Sequence, residues 1–101
     1  MLDDEVLKLR LSVAGDSPRA QHAISSLGRL EATPLAGRYH LEVVDVLQEP
    51  ERAEADHVLA TPTLLRLSPA PTRRILGDLG DLERLLRALI PHAPPEQAID
   101  G

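Results

Sequence analysis

A chain of 101 residues has room for one domain and not for two. Cysteine is absent, which excludes disulfides, zinc–thiolate centres and every thiol mechanism, and Tyr39 is the single aromatic residue, so the core has to be built from Leu, Val, Ile and Ala. A formal net charge of −5 and no basic run longer than Arg73-Arg74 argue against nucleic acid, while the acidic start Met1-Leu2-Asp3-Asp4-Glu5 and the lack of a long apolar run point to a cytoplasmic protein with no membrane contact.

Residues 5–14 alternate, with Leu7, Leu9, Leu11 and Val13 on one side and Lys8, Arg10 and Ser12 on the other, which is the pattern of a half-buried strand. Gly15-Asp16 breaks it. Ser17 is placed to cap a helix that starts on Pro18, where the missing N–H is harmless. That helix is expected to run to about Ala32, with Ala20, Ala23, Ile24, Leu27 and Leu30 inward and Arg19, Gln21, Ser26 and Arg29 outward. Pro34 and Gly37 end it, and residues 39–47 read as a second strand. Strand, helix and strand joined by short turns form a βαβ unit, so the two strands should be parallel.

Pro50 opens a weaker helix over residues 50–59, whose apolar side is limited to Ala53, Val58 and Leu59. Short strands are expected over Leu64 to Leu67 and Thr72 to Leu76, separated by the rigid Pro69-Ala70-Pro71. A last helix carries Leu82, Leu85, Leu86, Leu89 and Ile90 on one stripe, and Pro91, Pro94 and Pro95 stop it. Residues 1–92 therefore read as one domain, with 93–101 an expected disordered tail.

The order β-α-β-α-β-β-α is the thioredoxin-like α/β arrangement with a mixed sheet. Redox members of that fold carry Cys-x-x-Cys between the first strand and first helix; here the same place reads Gly15-Asp16-Ser17-Pro18. Thr61-Pro62-Thr63 occupies the position of the fold's cis-proline loop, where both a cis and a trans bond are open readings. His22, His40, His57 and His92 fall on different elements, so neither a metal nor a cofactor is expected. Asp78 and Asp81 are better placed to cap the last helix than to work as a catalytic pair. Arg73-Arg74 suits an anion, or one solvated arginine beside one that faces a carboxylate. No catalytic residue is expected.

Four blocks carry a family resemblance: Leu9-Arg10-Leu11-Ser12-Val13-Ala14-Gly15, Val43-Val44-Asp45-Val46-Leu47, Leu59-Ala60-Thr61-Pro62-Thr63-Leu64 and Arg73-Arg74-Ile75-Leu76-Gly77-Asp78-Leu79. In this order they resemble the KaiB family of circadian-clock proteins. The resemblance implies a non-catalytic protein that binds the hexameric ATPase KaiC, with KaiA or a sensor kinase as further partners. It implies a partner-binding segment that here includes Glu49, Glu54, Asp56, His57, Leu59 and Ala60, with His57 where the family usually has lysine. It also implies a second, rearranged tetrameric fold of the C-terminal half, in which the loop prolines Pro62, Pro69 and Pro71 and the position of Ala88 take part. Ala88 stands where family members that switch folds can carry glycine, and alanine favours helix by about 1 kcal/mol. Ser12 likewise stands where the family commonly has an aromatic residue, and its late tyrosines are missing. A monomer resting in the thioredoxin-like form is therefore expected over the tetramer. From a different class of function, a glutathione-binding domain shares the Thr-Pro-Thr loop, and a sensor domain in stress signalling shares the fold.

Overall fold

In the computed structural model, residues 6–77 and 79–90 are described. Seven elements follow one another: β1 (Leu7–Val13), α1 (Pro18–Gly28), β2 (Tyr39–Asp45), α2 (Pro50–Ala55), β3 (Thr63–Ser68), β4 (Arg73–Ile75) and α3 (Leu82–Leu89), with one 3₁₀ turn at Arg29–Ala32 after α1. The sheet order is β2-β1-β3-β4. β1 runs parallel to β2 and antiparallel to β3, and β3 runs antiparallel to β4. This is the thioredoxin-like mixed sheet expected from the element order.

The alternation of β1 divides the sheet into two unlike faces. Leu7, Leu9, Leu11 and Val13 join Leu27, Leu30, Leu64, Ile75, Leu85 and Leu89 in one apolar cluster beneath α1 and α3. Leu7, Leu11, Leu27, Leu30, Leu64 and Leu89 have no exposed surface, and each such side chain contributes roughly 2 kcal/mol of transfer free energy. On the opposite face the register aligns Arg10 with Glu42 and Leu65, and Ser12 with Val44 and Thr63. Val44 and Leu65 are buried there but stand outside the main cluster.

Both long helices start where the capping logic puts them. The Ser17 hydroxyl accepts the Ala20 N–H at 3.2 Å with Pro18 in the first turn, and the Asp81 carboxylate accepts the Arg84 N–H at 3.1 Å. Asp78, the other capping candidate, lies outside the described residues, as do His92 and the tail from Pro91. Arg66, on β3, is 2% exposed; its guanidinium donates to the Leu89 carbonyl at 3.1 Å and the Pro71 carbonyl at 2.9 Å, tying the end of α3 and the β3–β4 loop to the sheet.

Several expectations are corrected. The first α-helix stops at Gly28 and tightens into the 3₁₀ turn, so Leu30 is buried from outside the α-helix. Ile24 is exposed while Ser26 is buried, because the inward stripe follows Ala20, Ala23 and Leu27, and Ser26 stands three residues after Ala23 on that side. β2 ends at Asp45, two residues short of the expected limit, since the Asp45 carboxylate accepts the N–H of Gly15 at 2.9 Å and of Leu47 at 3.0 Å and turns the chain. β3 is longer than expected, reaching from Thr63 to Ser68. α2 ends at Ala55 instead of continuing to Leu59.

Candidate protein-docking surface

The early end of α2 has a local cause. The His57 N–H bonds the Glu54 carbonyl at 3.1 Å and the Val58 N–H bonds the Ala53 carbonyl at 2.9 Å, the paired bonds of a Schellman stop. The residue in the left-handed position is His57, at φ 55°, where glycine is the usual occupant. Arg74 of β4 closes the same end by donating to the carbonyls of Asp56, at 2.8 Å, and His57, at 3.3 Å. Arg74 therefore meets main-chain oxygens and not the carboxylate that one of the two readings of the arginine pair gave it; Arg73 is exposed.

No residue of α2 is fully buried, Arg52 and Ala53 being half-buried, so its apolar packing is thin. Ion pairs add to it. Arg10 Nη1 lies 3.1 and 2.9 Å from the two Asp56 carboxylate oxygens, and its Nε donates to Glu42 at 3.0 Å. Arg52 reaches Glu42 at 2.6 Å and Glu49 at 3.4 Å. Burial opposes the charge on Arg10, but the bonds to Asp56 and Glu42 outweigh it and hold its pKa above the ordinary arginine value. The bonds from Arg52 and then Arg10 hold the Glu42 carboxyl below the usual glutamate range.

This mooring gives the candidate binding residues different roles. Glu54, His57, Leu59 and Ala60 are exposed on one flank, and Leu59 presents 96% of its surface to solvent. Glu49 is half-buried at the start of α2. The Asp56 carboxylate turns inward to Arg10, so it fixes the flank rather than facing outward. The loop residues do not converge: Pro62 precedes β3, Pro69 and Pro71 follow it, and Ala88 packs on the core from α3. The bonds Thr61-Pro62, Ser68-Pro69 and Ala70-Pro71 are all cis, so of the two readings of Pro62 the structure has the cis one.

Sequence reasoning missed Leu47, 70% exposed just past β2, and Leu76, 50% exposed just past β4. Leu76 lines a small apolar hollow with Leu59, Ala60 and Thr63. The usable signal for Leu47 was the Asp45 turn, which ends the strand before that residue. Among the described residues no group of three metal-binding side chains forms, and no helix is long and apolar enough to cross a membrane.

Such an arrangement defines a thioredoxin-like domain without a thiol, whose outstanding feature is a rigidly moored flank with an exposed leucine. The family model described as KaiB domain matches residues 10–91. "Circadian clock oscillator protein KaiB" of Synechococcus sp. (strain RCC307) is 48% identical over 81 residues, covering 80% of this chain and 74% of that one. The protein of the same name from Parasynechococcus marenigrum (strain WH8102) is also 48% identical, covering 80% and 78%. The chain belongs to the KaiB family. Among solved structures, the N-terminal domain of Synechococcus elongatus SasA superposes with a TM-score of 0.68 at 25% identity, over 96% of this chain and 87% of that one. The thioredoxin Deadhead of Drosophila melanogaster gives the same TM-score at 19% identity, over 86% and 84%, a likeness of fold alone.

Proposed function

We propose that the protein is a non-catalytic component of a KaiABC-type circadian clock, docking on a KaiC-like hexameric ATPase through the flank Glu49–Ala60 while in its thioredoxin-like form. The observation that carries the reading is Leu59, a large apolar side chain 96% exposed beside a helix that has no fully buried residue and is pinned by ion pairs. Burying that leucine in a partner contributes about 2 kcal/mol, and the fixed flank spares the partner the ordering of a loop. Family membership favours this reading over a glutathione-binding domain. KaiA or a sensor kinase with a related domain competes for the complex or joins it. The chain rests as a monomer in a cytoplasmic setting.

The test is interferometry of the purified protein against an immobilised KaiC-type hexamer, with the solution mass measured in parallel. Leu59→Ser removes an exposed side chain and leaves the unfolding midpoint unchanged, while weakening binding about tenfold or more. His57→Gly keeps the helix stop, relieves the left-handed strain and tests the side chain itself. Binding by Leu59→Ser at full strength rejects the flank; failure of the unaltered chain to bind any KaiC-type ring rejects the function.

A further inference from the structure

A further cavity lies beside the flank. It has a volume of about 560 Å³ and lies between the start of α1, the Ala60-Thr61-Pro62 segment and the turn after β4. Pro18, Ala23, Ala60, Pro62, Leu76 and Leu79 give it mostly apolar walls, and Arg19 and His22 stand along the α1 side. That volume falls within the range of small-molecule sites, which are likewise apolar with a few placed polar groups.

A second hollow of about 180 Å³ adjoins it. The two share Arg19, Thr61 and Pro62, and the smaller one adds Ser17 and Ala14 and is as polar as it is apolar. The pair therefore forms a cleft with an oily chamber and a polar end. Arg19, an exposed residue in the first turn of α1, lines both chambers, so its charge adds to the positive potential of the helix N-terminus there. Among the described residues that line either chamber, none is acidic.

An unbranched polar ligand gains nothing from the oily chamber, and an apolar ligand without charge gains nothing from Arg19. We propose that this cleft binds a small amphipathic carboxylate, its apolar body between Pro62, Leu76 and Leu79 and its carboxylate at Arg19. The site is separate from the clock-partner reading, sharing the Ala60 and Leu76 walls with the hollow beside Leu59 but neither Leu59 nor Arg19, so either stands if the other fails.

Amide NMR of the ¹⁵N-labelled full chain tests it with phenylbutyrate, with phenylbutanol as the uncharged analogue. Phenylbutyrate is expected to give saturable shifts at Arg19, Ala23, Thr61, Gly77 and Leu79. Phenylbutanol should move the same amides about fivefold more weakly, the scale of one exposed ion pair. Arg19→Gln, a change at an exposed residue that leaves the remaining spectrum in place, should lower phenylbutyrate to the alcohol's affinity without altering the alcohol. Glutathione, which has carboxylates but little apolar surface, should leave these amides unmoved at the same concentration. The proposal is overturned by the absence of saturable shifts at millimolar phenylbutyrate, by shifts centred elsewhere, or by equal binding of the acid and the alcohol. Glutathione binding as tightly as phenylbutyrate overturns it too.

Discussion

Cutting the Arg10–Asp56 pair should loosen α2 without unfolding the sheet. The two side chains are 22% and 17% exposed, so the pair lies between a solvated surface bridge and a fully buried one. Exposed pairs contribute up to about 1 kcal/mol and charge-assisted bonds shielded from water about 1.5–3 kcal/mol. A coupling of about 1.5 kcal/mol follows for this geometry. Because α2 buries no residue, the loss should appear chiefly as local opening. A double-mutant cycle of Arg10→Met and Asp56→Asn, followed by denaturant unfolding and by amide exchange, isolates the pair from the Arg10–Glu42 contact. The amides of Asp56, His57 and Val58, all bonded within the helix and its stop, should exchange about tenfold faster in Asp56→Asn. Those of Leu9 and Leu11 in the central strand should not change. A coupling below about 0.3 kcal/mol, or unaltered exchange at the three α2 amides, would refute the claim that ion pairs moor the helix.

Three further outcomes follow from the same structure. Glu42 has a native pKa below its unfolded value, so its stabilising effect should be complete above about pH 4.5 and fade as pH falls through the depressed value; the stability difference between wild type and Glu42→Gln, followed by denaturation across acid pH, should shrink accordingly. Tyr39 is desolvated and donates to Glu31 at 2.6 Å, which raises its pKa to about 12; as the only aromatic residue it can be titrated by ultraviolet absorbance, and Glu31→Gln should bring the midpoint back toward 10. Ser12 is 1% exposed and its hydroxyl has no hydrogen-bond partner among the described residues, so Ser12→Ala should leave stability unchanged or raise it by up to about 1 kcal/mol; a loss of more than 1 kcal/mol in denaturant unfolding would show that the hydroxyl is satisfied.

The legible parts of this chain are those governed by local periodicity and capping. The alternation of Leu7 to Val13 and the stripe from Leu82 to Leu89 each meet a single continuous apolar layer, so spacing alone assigns their faces. Ser17 and Asp81 bond to N–H groups three residues ahead, a range that sequence displays directly. The mooring of α2 was hidden for the opposite reason: Arg10 finds Glu42 across 32 positions and Asp56 across 46. Nothing in the local pattern marks those charges as partners. The stop at His57 was hidden as well, because the left-handed position is filled by a residue that gives no glycine signal. At the docking flank the exposed Leu59 was named, but its continuity with Leu76 needed the antiparallel return of β4 beside β3.

The two faces of the sheet stabilise different things. Beneath α1 and α3, buried leucines supply the free energy of folding, and a change there costs the whole domain. On the α2 face, Arg10, Glu42, Arg52, Asp56 and Arg74 fix the position of a helix that has no fully buried residue of its own. Position and affinity are thereby assigned to separate residues: charges set where the flank stands, and Leu59 and Leu47 remain available to be covered. Substitutions among the charges should act on any docked complex through the geometry of the flank and should be sensitive to salt, since Glu42 and Arg52 are each at least one-third exposed and Arg10 is paired with Glu42. Substitution of Leu59 should act through lost apolar contact and be nearly indifferent to salt. Comparing the salt dependence of the two kinds of variant separates a flank that is merely present from one whose placement matters for binding.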